Sequence, residues 1–347
     1  MTDQQTQDLR GELKDDEQAI YLMDHPDSDE EIPTLDMTPY LAGLPGGREA
    51  VAEQLREITM TVGFFYLNGH GVPQELINAV FSESRRFFSL PDSVKRAIPY
   101  VTTDTLKSGY QNSFTDGAQR ANINIIGDAR PNLLEKFSIN RESASNLHNT
   151  SNATSPTAIN IWPSNLPGFK ETLQNYHSAI ETLGRQFLPL WCVSLGLPPH
   201  FLDRFFDHPH LTMSLLHYPP QDEIGNRQYG IAPHTDNAFM TFLAQADIPG
   251  LAVRMPSGHW RAVDIVPGTL LVNTGNLMVH WTNGEYLSTK HRVINNNATD
   301  RYSIPVFFGP SADALIDVLP TCQGPDRPAR YKPITYRELR DWYYSKA

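Results

Sequence analysis

From residue 211 onward the chain is cut into short β-rich runs by glycine and proline turns, and this constrains the fold more than any other feature. The runs cover 211–218, 238–246, 251–255, 259–264, 269–274, 291–295 and 302–308, and Pro219-Pro220, Pro256-Ser257-Gly258, Pro267-Gly268 and Asn283-Gly284 punctuate them. Many short strands without interleaved helices bury their apolar faces by stacking as an antiparallel sandwich or jelly roll.

Ahead of this region the hydrophobic period is longer. A short strand at Ile32-Pro33-Thr34-Leu35-Asp36 leads into Val51, Leu55, Ile58 and Val62, spaced as one face of a helix that Gly63 stops. Phe64-Phe65-Tyr66-Leu67 reads as a buried strand ending in the turn Asn68-Gly69-His70-Gly71. A second helix runs from about Pro73, with Ile77, Phe81 and Phe88 inward, to the break at Leu90-Pro91. Leu173, Tyr176, Ile180, Leu183, Phe187 and Leu190 then step by 3 and 4 along a helix over 168–195, which Pro189 is expected to kink or break. A last helix is expected over 336–344. The expected organisation is therefore a tail (1–31), an N-terminal α/β region (32–140), a Ser/Asn/Thr-rich loop (141–160), and a long helix, β-rich core and C-terminal helix (161–347).

The formal net charge of −11 is a property of the tail. Residues 1–31 carry 11 acidic and 2 basic side chains, a net of −9, which leaves −2 for the rest. A solvated disordered extension is the expectation there. The nearly neutral body has no basic stripe, so nucleic acid is not an expected partner. No apolar stretch reaches the roughly 18 residues of a membrane span, and the start lacks the basic and apolar segments of a signal peptide, so a cytoplasmic protein is expected. Cys192 and Cys322 have no CxxC neighbour or nearby histidine partner and are expected to be buried, inert thiols.

The 12 histidines are where chemistry is sought, because neutral imidazole is the commonest protein ligand for transition metals. In Ala232-Pro233-His234-Thr235-Asp236 an imidazole and a carboxylate stand two positions apart, so an extended chain turns both to one side. Spacing alone does not define a site, since His25-Pro26-Asp27 repeats it in the acidic tail. What separates His234 is the β-rich run beginning at His291, followed ten residues later by Arg301-Tyr302-Ser303, again an i, i+2 pair. Two histidines and one carboxylate on a rigid β scaffold suit a facial triad with open positions, the arrangement of non-haem Fe(II) oxygenases. The planar fork of Arg301 suits a carboxylate, and Ser303 adds a hydroxyl.

These segments resemble the isopenicillin N synthase-like family of Fe(II)- and 2-oxoglutarate-dependent dioxygenases, from about Ile32 to the C-terminal helix. The resemblance is carried by HTD at 234–236, Pro267-Gly268-Thr269-Leu270-Leu271-Val272-Asn273-Thr274-Gly275, Trp281-Thr282-Asn283-Gly284, His291-Arg292-Val293 and RYS at 301–303. In the N-terminal region it is carried by Gly63-Phe64-Phe65-Tyr66-Leu67, Gly69-His70-Gly71-Val72-Pro73 and Phe87-Phe88-Ser89-Leu90-Pro91. Two positions depart from the family pattern: Gly275-Asn276 stands where Gly-Asp is usual, and Leu216 stands where many plant members carry asparagine.

The resemblance implies a mainly β fold with flanking helices, a distorted double-stranded β-helix or jelly roll with an N-terminal α/β portion packed on it. It implies His234, Asp236 and His291 as iron ligands, and Arg301, Ser303 and Tyr218 as the residues that hold 2-oxoglutarate. It places Tyr110, Lys136, Phe137 and Phe308 around a cavity for a small-molecule substrate. The reaction implied uses Fe(II), O2 and 2-oxoglutarate, oxidises the substrate, most commonly by hydroxylation, and releases succinate and CO2. Two other readings stay open from the sequence: an oxidase in which Arg301 and Ser303 hold a substrate carboxylate and 2-oxoglutarate is unused, and a noncatalytic jelly-roll module. His280, His217, His70 and the His208-Pro209-His210 loop are expected in packing, turn or surface roles.

Overall fold

The computed structural model describes residues 30–102, 107–113, 131–142, 160–221, 229–295 and 298–345. His25, nearly all of the expected acidic tail and most of the expected 141–160 loop lie outside the described residues. In chain order come β1 (Thr34–Asp36), α1 (Thr38–Leu41), α2 (Gly47–Thr61), β2 (Phe64–Asn68), α3 (Gln74–Phe88), α4 (Asp92–Arg96), β3 (Val101–Thr102), β4 (Lys107–Asn112) and β5 (Glu135–Asn140). The long helix α5 (Phe169–Ser194) precedes β6 (His210–Tyr218), β7 (Ile231–His234), β8 (Met240–Gln245), β9 (Leu251–Arg254), β10 (Trp260–Ala262) and β11 (Leu270–Thr274). Helix α6 (Asn276–Trp281), β12 (His291–Val293), β13 (Arg301–Gly309), β14 (Leu315–Ile316), β15 (Ile334–Thr335) and α7 (Tyr336–Ser345) complete the chain.

A nine-stranded sheet runs β1-β2-β11-β8-β13-β6-β5-β4-β3, and a four-stranded sheet, β10-β9-β12-β7, packs against part of it. Their pairings are antiparallel except for β1 with β2. Strands from residues 32–140 thus form both flanks of the main sheet, β1 and β2 on one side and β3 to β5 on the other. Between the sheets Phe64, Tyr66, Leu251, Val253, Leu271 and Val293 form a small apolar core.

The outer face of the main sheet is closed by α5, whose Leu173, Tyr176, Ile180, Leu183 and Phe187 are buried at the expected spacing. Phe308 fits there because Gly184 leaves it room: a Cβ on that glycine would stand 3.0 Å from the ring. The expected break at Pro189 does not occur, and the helix continues to Ser194. Proline costs a helix interior about 3 kcal/mol, and complete burial of Leu190, Trp191 and Cys192 beyond it outweighs that preference. The absence of helices expected within the β-rich part is also corrected by α6, whose six residues are too few to show a helical period. Cys192 and Cys322 are free, buried thiols, and burial raises both above the usual thiol range. No helix among the described residues is long and apolar enough to cross a membrane.

Candidate metal centre and cavity

Antiparallel pairing of β12 with β7 sets His291 directly opposite His234, with ring centroids 4.1 Å apart. Asp236 follows β7 by two residues, and its Oδ1 lies 3.8 Å from Nε2 of each histidine. Each imidazole has a backbone carbonyl in front of Nδ1, that of Ala232 at 2.9 Å for His234 and that of Thr289 at 3.2 Å for His291. A carbonyl only accepts, so Nδ1 carries the proton and the Nε2 lone pair is left facing the cluster.

The carboxylate is divided in the same way. Asp236 Oδ2 accepts from the Thr241 hydroxyl at 2.7 Å and the Asn273 amide at 2.8 Å, which leaves Oδ1 toward the histidines. Three ligand atoms from His234, Asp236 and His291 therefore lie within 4.8 Å of one another. Burial works against ionisation of Asp236, but His291, His234 and the bonds from Asn273 and Thr241 outweigh it and hold the carboxyl below its usual range. Burial and then the neighbouring His291 push His234 down, which keeps it neutral, the form that binds a metal.

The backbone around Asp236 is pinned by the turn after β11. A Cβ on Gly275 would stand 2.2 Å from the Ala238 carbonyl oxygen, so the close approach requires glycine. The Asn276 amide nitrogen donates to Thr235 Oγ1 at 3.1 Å and to Asn237 Oδ1 at 2.8 Å, bracketing Asp236. An aspartate at 276 has no N–H to give to Asn237 Oδ1, which accounts for asparagine here.

Beside this cluster Arg301 opens β13 opposite Tyr218, which closes β6, and Ser303 stands two residues along. Arg301 is only 1% exposed, yet its Nε and Nη1 have no hydrogen-bond partner among the described residues. Its Cζ lies 4.7 Å from the Tyr218 ring centroid, and Tyr218 hydrogen-bonds with both Ser303 and Arg301. A guanidinium buried with donors unmet is costly unless an acceptor arrives, and a carboxylate matches its fork. The donor sets thus fit both implied groups: two imidazoles and a carboxylate for Fe(II), and a buried fork with two hydroxyls for one end of 2-oxoglutarate.

A cavity of about 230 Å³ opens next to His234 and Asp236. Strand alternation decides what lines it. Lys136 and Ser138 of β5, Thr212, Ser214 and Leu216 of β6, and Pro305 and Phe307 of β13 face it. Of the four expected substrate residues only Lys136 does so. Tyr110, Phe137 and Phe308 are corrected to the α5 side: Phe137 packs 4.8 Å from Phe87 and 5.5 Å from Phe169, Phe308 lies 5.2 Å from Phe206, and Tyr110 donates to Glu135. Arg301 and Ser303 are odd-numbered on β13, so the period of 2 assigns Phe307 and not Phe308 to their face.

Tyr336 and Arg340 of α7 and His210 at the start of β6 also line the cavity and were not singled out from sequence. His210 is a strand residue rather than the expected loop residue. The other histidines are accounted for: His217 lies 2.7 Å from Glu135 and 2.6 Å from Asp300, and His70 Nδ1 accepts the Val72 backbone N–H. His280 lies against the ring of Tyr331, apart from the metal cluster.

Comparison with known proteins agrees with this arrangement. Residues 209–310 match the 2OG-Fe(II) oxygenase superfamily, and residues 32–165 match the family's N-terminal region, described as non-haem dioxygenase in morphine synthesis N-terminal. The chain belongs to the Fe(II)- and 2-oxoglutarate-dependent oxygenases of the isopenicillin N synthase-like family. It is 34% identical over 313 residues to the 2-oxoglutarate-Fe(II) type oxidoreductase hxnY of Emericella nidulans, across 88% of this chain and 87% of that protein. A 2-oxoglutarate-dependent dioxygenase of Didymella fabae is 32% identical over 294 residues, across 81% and 86%. Among solved structures, a full-length Neurospora crassa protein in complex with alpha-KG superposes with a TM-score of 0.80 at 26% identity, covering 92% of this chain and 98% of that one. The protein is thus a non-haem Fe(II)/2-oxoglutarate-dependent dioxygenase that oxygenates a small metabolite, with the double-stranded β-helix fold of its family.

Proposed function

We propose that His234, Asp236 and His291 hold Fe(II), that Arg301 with Ser303 and Tyr218 holds the far carboxylate of 2-oxoglutarate, and that the reaction is hydroxylation of a C–H bond in the cavity. The observation that carries this reading is the set of unmet valences on the two packed sheets: two Nε2 lone pairs and one carboxylate oxygen at the His/Asp/His cluster, and the Nε and Nη1 of a buried arginine on β13. Bound iron supplies activation of O2 coupled to oxidative decarboxylation of 2-oxoglutarate. The sum is substrate, O2 and 2-oxoglutarate giving hydroxylated substrate, succinate and CO2.

The chain's own residues orient and exclude. The Ala232 and Thr289 carbonyls fix the imidazole tautomers, and Thr241 and Asn273 fix which carboxylate oxygen faces the ion. Leu216, Pro305 and Phe307 give the cavity an apolar wall that limits water beside the reacting C–H. Anaerobic Fe(II) titration of the wild type, His234→Ala and His291→Ala, followed by succinate release in air, tests the assignment. Each variant is expected to lose tight iron binding and succinate formation together. Wild-type iron affinity in folded His291→Ala protein removes that residue from the site.

A further inference from the structure

The turn after β11 gives the surroundings of Asp236 a hydrogen-bond polarity. Asn276 opens α6, and its backbone N–H donates to the Asp236 carbonyl at 2.7 Å, while the Gly275 N–H donates to the Phe239 carbonyl at 3.3 Å. These bonds hold the Asn276 side chain against the two residues that flank the carboxylate. Its amide nitrogen directs one N–H to Thr235 Oγ1 at 3.1 Å and the other to Asn237 Oδ1 at 2.8 Å.

A hydroxyl that accepts a hydrogen bond still has its own O–H to donate, and an asparagine whose oxygen is occupied presents its NH2 group. Among the described residues neither the Thr235 O–H nor the Asn237 Nδ2 meets an acceptor. Thr235 and Asn237 are half-buried, and both line the cavity beside Asp236. Their side-chain oxygens lie within 3.1 Å of the same nitrogen, so the two donors are close neighbours. An aspartate at 276 would reverse this polarity. Its carboxylate can only accept, so it would draw the hydroxyl proton and the Asn237 NH2 group toward itself and away from the cavity.

Ala232, Ala238, Leu216 and Phe307 give the same cavity apolar surface. A ligand that fills it takes water from the two donors, and one without an acceptor leaves them unpaired. A carbonyl oxygen accepts two hydrogen bonds and donates none, which matches the pair. We infer that Asn276 is a positioning residue that sets Thr235 and Asn237 as two donors beside the metal ligands, and that the substrate meets them with a carbonyl oxygen. This rests on the proposed placement of the metal and names a substrate class for that site.

The test uses neutral probes of matched shape in which C=O is exchanged for C=CH2: acetophenone against α-methylstyrene, and cyclohexanone against methylenecyclohexane. Binding is read by anaerobic calorimetry on enzyme saturated with Fe(II) and 2-oxoglutarate, so that the co-substrate is already in place. The quantity compared is the affinity for each ketone divided by that for its hydrocarbon, which a general weakening of the site does not move. For at least one pair Asn276→Asp is expected to lower this ratio about three- to tenfold, as loss of one neutral hydrogen bond predicts. Thr235→Val and Asn237→Leu each remove one donor and should lower it too, which carries the test if Asn276→Asp fails to fold. Neutron diffraction from deuterium-exchanged wild-type crystals should place deuterium on the Asn276 nitrogen, toward Asn237 Oδ1. A ratio unchanged in Asn276→Asp, or unchanged in both other variants, overturns the inference. So does failure of both ketones to bind the wild type, or deuterium running from Asn237 to Asn276. Succinate release by the wild type in air keeps the two readings apart. Release with an unchanged ratio removes the donor pair alone, and a lowered ratio without release removes the proposed catalytic assignment alone.

Discussion

The two faces of the nine-stranded sheet are made by the same strands and do opposite work. On β5, Phe137 packs among Phe87, Phe169 and Trp162 while its neighbour Lys136 enters the cavity. On β13, Phe308 lies stacked on Phe206 while Phe307 faces the metal side. On the outer face Glu135 has its polar demands met from within, accepting from Lys95, Tyr110 and His217. The inner face leaves donors open at Arg301, and the four-stranded sheet packed against it leaves ligand atoms open at His234 and His291, with Asp236 just beyond β7. Because the alternation has a period of 2, a slip of one residue in register would exchange a binding wall for a packing wall.

The largest effect that can break this comparison is Asp236→Ala. Loss of a supporting contact to a metal ligand typically costs 10- to 100-fold, so loss of the ligand itself should weaken iron binding and turnover by more than about 100-fold. In metal-free protein the same change should cost less stability than Phe308→Ala, which is expected to lose about 3–5 kcal/mol by emptying a buried ring site. Denaturant unfolding and iron titration of both variants separate the faces. A Phe308→Ala protein with unchanged stability but altered substrate affinity would return that residue to the cavity.

A smaller effect is expected at Arg301→Lys, which keeps charge but loses the fork. The KM for 2-oxoglutarate should rise by about 10- to 150-fold, the equivalent of roughly 1.5–3 kcal/mol. Full activity of the wild type in enzyme freed of 2-oxoglutarate would assign the fork to something else.

The most gradual effect, spread over about 2.5 pH units, belongs to the outer face. His177 on α5 is pushed down to about 4, first by burial, with the Leu211 carbonyl, Glu181, Arg141 and Glu142 as lesser influences. Its ordinary value in the unfolded chain is 6.5, so below that pH the unfolded state binds the extra proton. Its contribution to stability is therefore present above pH 6.5 and declines as pH falls toward 4, at up to about 1.4 kcal/mol per pH unit. Replacing His177 with leucine should flatten that part of the curve in denaturant titrations at stepped pH. An unchanged slope would assign the acid sensitivity to other groups.

The strand runs, the helix stripes on α2, α3 and α5, and the His/Asp/His and Arg/Ser spacings were legible because each is a local pattern with a fixed period. The pairs that make the site work were not. Asn273 and Thr241 lie 37 and 5 residues from Asp236, and only sheet register brings both to Oδ2. Arg340 was hidden because an exposed-looking charge on a final helix carries no sequence mark of the wall it closes. Phe308 and Phe137 were misplaced for a different reason: aromaticity was weighed and strand parity was not. The break offered as one outcome at Pro189 followed intrinsic preference, which burial of its neighbours overrides.

The position of β2 between β1 and β11 also has a consequence for how the chain is made. β2 receives its central-sheet partner, β11, only after roughly 200 further residues have been added (270 minus 68), which at 5–20 residues per second is about 10–40 s. Throughout that interval Phe64-Phe65-Tyr66-Leu67 is an apolar segment with one unpaired edge, the kind of template that recruits other chains. Helix α2, which ends three residues before it, is synthesised first and packs against β1 and β2. It can shield one face of the run, but the open edge remains until β11 emerges, so the aggregation hazard of this protein is concentrated in the time before the metal-binding half exists.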